Sequence, residues 1–231
     1  MKIGIMQPYF FPYLGYWQLI NAVDKYVVYD DVAYIKGGWI SRNNILLNEK
    51  RHMITLPLSS PSVYKRINEI EISKDVIAVK KVIKTIKSAY LKAPYYNVIM
   101  PMVEKLISNN ITIAALNYNS IIEITQYLNI ETEILLSSKI EKNNELKGES
   151  KVLHINKILG ADTYYNAIGG QQLYSQETFQ KNGLDLHFIK MKEIKYKQYN
   201  NEFVSGLSII DVLMFNSSDE IRKMLNEYTL I

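Results

Sequence analysis

Two adjacent carboxylates, Asp30-Asp31, close the apolar run KYVVYD. Side by side at the end of a buried strand, they repel, so burial either raises one pKa or demands a cation nearby. Lys36 and Arg42 are the candidate cations, in a segment that also holds Tyr34, Gly37-Gly38, Trp39 and Asn43. Such a cluster suits two chemistries: proton acceptance by Asp30 or Asp31, and the gripping of an anionic group by Lys36, Arg42 and Asn43. The alternative is an ion-pair cluster that orders a loop. A second candidate segment is Gln7-Pro8-Tyr9-Phe10-Phe11-Pro12-Tyr13-Leu14-Gly15-Tyr16. Two prolines stiffen it, and Gly15 allows close backbone approach where a helix N-terminus would attract anions. Gln7 and Tyr9 are placed to orient an acceptor, with Phe10 and Tyr16 as aromatic wall; an aromatic plug under the helix is the competing reading. The third segment, from Asn166 to Gln172, carries Gly169-Gly170, which suits either close approach to a ligand or an ordinary βα turn. His52 joins the catalytic candidates because its strand is expected to border the Asp30–Asn43 segment, whereas His154 and His187 read as structural.

The elements that must position these residues alternate. Residues 2–6 read as a buried strand, 13–23 as a helix and 25–30 as a second strand, the pattern of a βαβ unit with parallel neighbouring strands. A polar segment follows from 34 to 44, then a strand over 51–57. Helices are expected at 75–92, 98–108 and 111–128, making a helical middle. A strand at 133–136 precedes a polar stretch over 139–147, a helix at 149–159 stopped by Gly160, and a strand at 162–166. A helix at 175–181, a strand at 185–190 and helices at 209–215 and 218–227 complete the chain. This alternation predicts one α/β domain over 1–231, a mostly parallel Rossmann-like sheet covered by helices, with 75–128 as a lobe. Ligands of such sheets sit at the carboxyl ends of the strands, so all three candidate segments are expected to line one pocket.

Composition narrows the classes. The 231 residues hold 27 basic and 23 acidic side chains, a net charge of +4, and 18 tyrosines. The excess is scattered apart from Lys80, Lys81, Lys84 and Lys87, which reads as a solvated helix face rather than a nucleic-acid stripe. A mild positive balance suits anionic substrates such as sugar nucleotides. The lack of cysteine removes disulfides, a cysteine nucleophile and thiolate metal sites, and points to a reducing, cytoplasmic compartment. No signal-peptide pattern and no apolar run long enough to span a membrane are present. No metal spacing, GxSxG elbow, GxGxxG fingerprint or P-loop occurs.

The stretch IMQPYFFPYLGYWQLINAVDKYVVYDDVAYIKGGWISRNNIL resembles the opening of WbqC-like proteins, and GADTYYNAIGGQQLY with FVSGLSIIDVLMFNS is similar to their second half. The resemblance implies an enzyme of O-antigen and lipopolysaccharide synthesis, a transferase adding an acyl or aminoacyl group, glycyl among them, to the amine of a nucleotide-linked amino sugar. Its partners would be that sugar nucleotide and an acyl donor, with no nucleic acid, and a homo-oligomer left open. No cofactor is firmly implied; ATP enters only if the donor is activated as an acyl-adenylate. A non-catalytic sugar-nucleotide-binding protein is the alternative from another class. The pattern P-x-x-P-x-x-G after the first strand is also similar to HIGH-type nucleotidyltransferases (HUP-like folds), although Tyr13 and Tyr16 stand where those enzymes carry histidines.

Overall fold

The computed structural model describes residues 1–199 and 202–231. Its strands are β1 (Lys2–Met6), β2 (Lys25–Val28), β3 (Arg42–Leu47), β4 (Lys50–Thr55), β5 (Leu58–Ser59), β6 (Glu71–Ile72), β7 (Glu133–Leu136), β8 (Thr163–Ala167), β9 (Asp185–Met191) and β10 (Tyr228–Leu230). The helices are α1 (Leu14–Asn21), α2 (Val76–Tyr90), α3 (Tyr96–Ser108), α4 (Ile113–Tyr127), α5 (Gly148–Leu159), α6 (Gln176–Lys181), α7 (Ile209–Phe215) and α8 (Ser218–Met224). Six strands form the main sheet in the order β10-β9-β8-β1-β2-β7, and every pairing but β10–β9 is parallel. The expected Rossmann-like α/β sheet is therefore present, with β1 and β2 as parallel neighbours from Ile3↔Lys25 to Met6↔Val28.

Alternation along the strands sorts side chains onto two cores. Ile3, Ile5 and Val27 face one way, onto α5 and α6 through Val152, Ile155 and Phe179. Tyr26 and Val28 face the other way, onto α1 through Tyr16, Leu19 and Ile20 and onto the larger core that the helical middle completes. A parallel sheet covered on both faces needs such double-sided burial. Gly4 fits closely there: a Cβ would lie 3.2 Å from the Tyr26 ring and 3.4 Å from Leu19.

Three expectations need correction. The strand expected at 51–57 leaves the main sheet: β4 pairs antiparallel with β3, in a separate hairpin running from Arg42↔Thr55 to Leu47↔Lys50. Strand β3 itself lies partly in the segment read as polar and irregular, because Arg42, Asn43 and Asn44 interrupt the apolar pattern that ordinarily marks a strand. The Gly169-Gly170 segment is a short 3-10 helix, Ile168–Leu173, rather than a simple turn. Gly160 ends α5 as expected, in the left-handed region at φ +71°, its N–H bonded to the Lys157 carbonyl.

Two buried amides bind the proline-rich turn to the rest. Asn117 on α4 donates to the carbonyls of Pro8 and Ile40, both at 2.9 Å. Asn43 donates to Phe10 O at 3.0 Å and Phe11 O at 2.8 Å, while its Oδ1 accepts from the Asn44 amide. Phe11 sits at φ +43°, a conformation that only firm surroundings hold in a non-glycine residue. Replacing Asn43 by Ala strands the buried Phe10 carbonyl and the Asn44 amide, while Phe11 O keeps the Ser208 hydroxyl at 2.7 Å, and is expected to cost about 1–3 kcal/mol. Urea unfolding will show this as a lower midpoint with unchanged slope; an unmoved midpoint would mean the amide does not hold the turn.

Candidate functional site

Chain direction across the sheet reverses between β1 and β8: one half runs outward through β2 and β7, the other through β8 and β9. Crevices beyond the carboxyl ends of strands at such a reversal are where open α/β sheets take ligands. Four chain segments meet there, following β1 at Gln7, β2 at Tyr29–Asp31, β7 at Ser137 and β8 at Ile168.

Both carboxylates after β2 are buried, and they point to different partners. Asp30 accepts from the Ser138 amide at 2.9 Å and from Asn68 Nδ2 at 3.3 Å, and its carbonyl receives the Asn68 amide. Asp31 Oδ2 lies 2.9 Å from Lys142 Nζ and 3.1 Å from Lys151 Nζ; the side chains of Asp31, Lys142 and Lys151 are 3 %, 1 % and 6 % exposed. Lys142 also donates to the carbonyls of Ser137 and Ile140, so its three N–H bonds are all used. Among the described residues Lys151 makes one hydrogen bond and stands 5.4 Å from the centre of the Tyr29 ring, which leaves it donors for another partner. Among the described residues, Asp31 Oδ1 and Ser137 Oγ are buried and make no close hydrogen bond to a third group, while the Ser137 hydroxyl lies near enough to the carboxylate to act on it. Burial pushes the Asp31 carboxyl up, but the Ser137 hydroxyl and the two ammonium groups outweigh it and hold the carboxyl below its ordinary range.

An aromatic wall stands beside this cluster. Burial first, then the Asp31 charge, pushes the half-buried Tyr29 phenol well up, so it is neutral near pH 7. Tyr164 stacks on Phe179, and its hydroxyl reaches Ile5 O at 3.3 Å. Asn166 Nδ2 donates to that hydroxyl at 2.8 Å. Gly170 fits closely over Asn166, where a Cβ would come within 3.0 Å of the amide, whereas Gly169 faces open space.

The sequence candidates fall into three groups. Asp30, Asp31 and Gln7 stand at the carboxyl edge of the sheet. The turn after β1 and the segment after β2 are in direct contact, through Phe10 N–H to Trp39 O at 2.9 Å as well as through Asn43. Within that contact, however, the side chains serve packing. Phe10 and Tyr16 are fully buried, and the Tyr16 hydroxyl donates to Gln7 O. Gly15 accommodates the Tyr13 ring, which would lie 2.5 Å from an added Cβ. Half-buried Tyr9 packs against Tyr16, with ring centres 5.5 Å apart. Tyr34 is buried with its hydroxyl 3.3 Å from Ser41 Oγ. Arg42 donates to Gly38 O and lies over Trp39, 5.9 Å from the ring centre, while Lys36 is exposed. The cations that balance Asp31 are thus Lys142 and Lys151, not Lys36 or Arg42. His52 lies exposed on β4 of the separate hairpin, opposite Ile45.

Sequence reasoning missed Lys142, Lys151, Ser137 and Tyr29. One signal was available. Lys151 falls on the buried stripe of α5, beside Val152 and one turn before Ile155, and a lysine on an apolar stripe is buried only when paired. Lys142 gave none, because it sits in a loop rich in charge.

Removing the Asp31 charge leaves two buried ammonium groups unpaired, so Asp31→Asn is expected to cost about 3–5 kcal/mol at neutral pH. Lys142→Met leaves a one-to-one Asp31–Lys151 pair and should cost less. The folded-state carboxyl is depressed, so its stabilisation is full above the unfolded value of about 3.9 and lost as pH falls through the lower folded value. Denaturant titrations should show the Asp31→Asn deficit at pH 7 shrinking in acid below about pH 4. A deficit independent of pH would refute the ion-pair account.

The profile of the WbqC-like protein family matches residues 7–223. The chain is 25 % identical over 224 residues to Uncharacterized protein Rv1507c of Mycobacterium tuberculosis, an alignment covering 95 % of each chain. No solved structure matches. The family match takes in all the strands of the main sheet but β1 and β10 and every segment of the cluster around Asp31, so this chain belongs to the WbqC-like protein family.

Proposed function

We propose that the chain is a transferase that adds an acyl or aminoacyl group, glycyl among them, to the amine of a nucleotide-linked amino sugar in surface-polysaccharide synthesis. The observation that carries this reading is the buried Asp31 carboxylate, held by the Ser137 hydroxyl and two lysines, one of which has donors to offer. A buried carboxylate with acceptor capacity to spare suits a ligand that brings a donor. An amine or hydroxyl of the sugar would donate to Asp31 Oδ1 and Ser137 Oγ. Lys151 would receive an anionic oxygen, since it is a cation with donors to spare while those of Lys142 are all used.

In this reading the amine lone pair attacks the acyl carbon of an activated donor, the leaving group departs with the electron pair of its bond, and the proton shed by the nitrogen passes to the departing group or to water. Asp31 holds and orients the amine. Its depressed carboxyl makes it a weak proton acceptor, so the pH dependence should follow the amine. The absence of cysteine suits a cytoplasmic setting for this chemistry.

Thermal shift with a panel of nucleotide-linked amino sugars tests binding. A ligand at a hundred times its Kd stabilises by about 2.7 kcal/mol, a rise of roughly 5–10 °C for a chain of this size. Mass spectrometry of the sugar, incubated with activated acyl and aminoacyl donors with and without ATP, tests transfer. Lys151→Met keeps a balanced Asp31–Lys142 pair and should raise KM about tenfold or more with little change in kcat, as loss of a contact equal in ground and transition states does. Activity should rise with pH through the amine ionisation, with no limb from Asp31 between pH 5 and 9. Binding without any mass gain would leave a sugar-nucleotide-binding protein, and no shift with any sugar nucleotide would end the reading.

A further inference from the structure

Helix α2 presents a face that the fold does not cover. Its Asp75 cap accepts from the amides of Ile77 and Ala78, fixing the first turn. Val82, Ile83 and Ile86 then turn into the core. Ile77, Lys80, Lys81 and Lys84, spaced three, four and seven residues apart, share the opposite face. Ile77 is 83 % exposed, and Val76 beside it 59 %. Across the cleft between α2 and the end of α3 stands Ile111, 75 % exposed. That cleft, about 520 Å³, is floored by Ile72, Val79, Ile83 and Ile107 and rimmed by Lys74 and Lys80. Lys87 pairs with Glu104 at 2.7 Å, but Lys74, Lys80, Lys81 and Lys84 form no ion pair among the described residues.

From this arrangement we infer a peripheral membrane-docking surface specific for anionic lipid. Lysines alone would make a solvated face, and exposed isoleucines alone an apolar patch of unspecified partner. The two together select a partner that is negatively charged at its surface and apolar immediately beneath. A bilayer containing acidic lipid has that layering: the lysines meet the headgroups, and Val76, Ile77 and Ile111 enter the acyl boundary, with the cleft between them open to a lipid chain. Among the described residues no helix is long and apolar enough to cross a membrane, so the attachment is to one leaflet. It is reversible, and it weakens with salt because the attraction acts over a Debye length of about 10 Å at 0.1 M.

The test is co-sedimentation of the full chain with vesicles of phosphatidylcholine alone and of phosphatidylcholine with phosphatidylglycerol, beside retention on heparin. The proposal expects binding to the mixed vesicles only. Lys80→Glu with Lys84→Glu should lower it by tenfold or more. Ile77→Ser with Ile111→Ser should release the chain from vesicles while leaving heparin retention unchanged. All four side chains are exposed, and circular dichroism melting will confirm that the variants fold as the parent does. Equal binding to neutral vesicles, or no binding to either, overturns the proposal. So does vesicle binding that the serine variant leaves intact, which would reduce the face to a site for any polyanion.

Discussion

The dipeptide at the end of β2 holds together parts of the chain that the sheet alone would not bring into register. Asp30 fastens the backbone after β7, through Ser138, to the short helix at Ile67–Glu69, through Asn68. Asp31 fastens the loop carrying Lys142 and the first turn of α5 carrying Lys151. The two carboxylates are one residue apart and 38 to 120 residues from these partners. Because adjacent side chains at a strand end diverge, their repulsion is resolved by giving each its own donors. The price is that neither substitution is local: loss of either charge loosens two segments distant in sequence at the carboxyl edge of the sheet.

Asp211 shows what a buried carboxylate does without such cations. It accepts from the Tyr90 hydroxyl at 2.9 Å, the Tyr196 hydroxyl at 2.6 Å and Gln198 Nε2 at 2.7 Å, all neutral donors. Burial outweighs those three bonds and pushes its carboxyl above the ordinary value. Asp31 is also buried, though less deeply, and its carboxyl moves down. The opposite shifts separate a hub that ties α7 to the segment at 196–198 from a cluster built around charge. In the first, folding is opposed by ionisation. In the second, it depends on ionisation.

How far this was legible in the sequence depends on the range of the interaction. The β1–α1–β2 unit could be read because its apolar spacing is local, and the ends of α5 could be read from Gly160. Of the hairpin β3–β4 only the second strand could, as the strand expected at 51–57. Its first strand opens on Arg42-Asn43-Asn44, polar residues buried by the turn they support rather than by their own apolarity. Asp30 and Asp31 stood out because their juxtaposition is itself improbable in an apolar run. Their cations did not, since Lys36 and Arg42 lie closer in sequence while Lys142 and Lys151 lie closer in space. Proximity along the chain favoured the wrong pair. The signal that favoured the right one, a lysine on the buried stripe of α5, acquires meaning only once that helix is known to cover the carboxyl edge of the sheet.

The charge of the cluster also constrains what can enter it. Lys142 already has all three of its donors occupied, whereas Lys151 makes one hydrogen bond among the described residues. The spare donors therefore belong to Lys151, which stands beside the Tyr29 ring. A cationic ligand would face both ammonium groups, and an apolar one would leave the spare donors of Lys151 unused. A ligand that presents an anionic oxygen to Lys151 and a donor to Asp31 resolves both at once. An amino sugar linked to phosphate carries those two groups in one molecule.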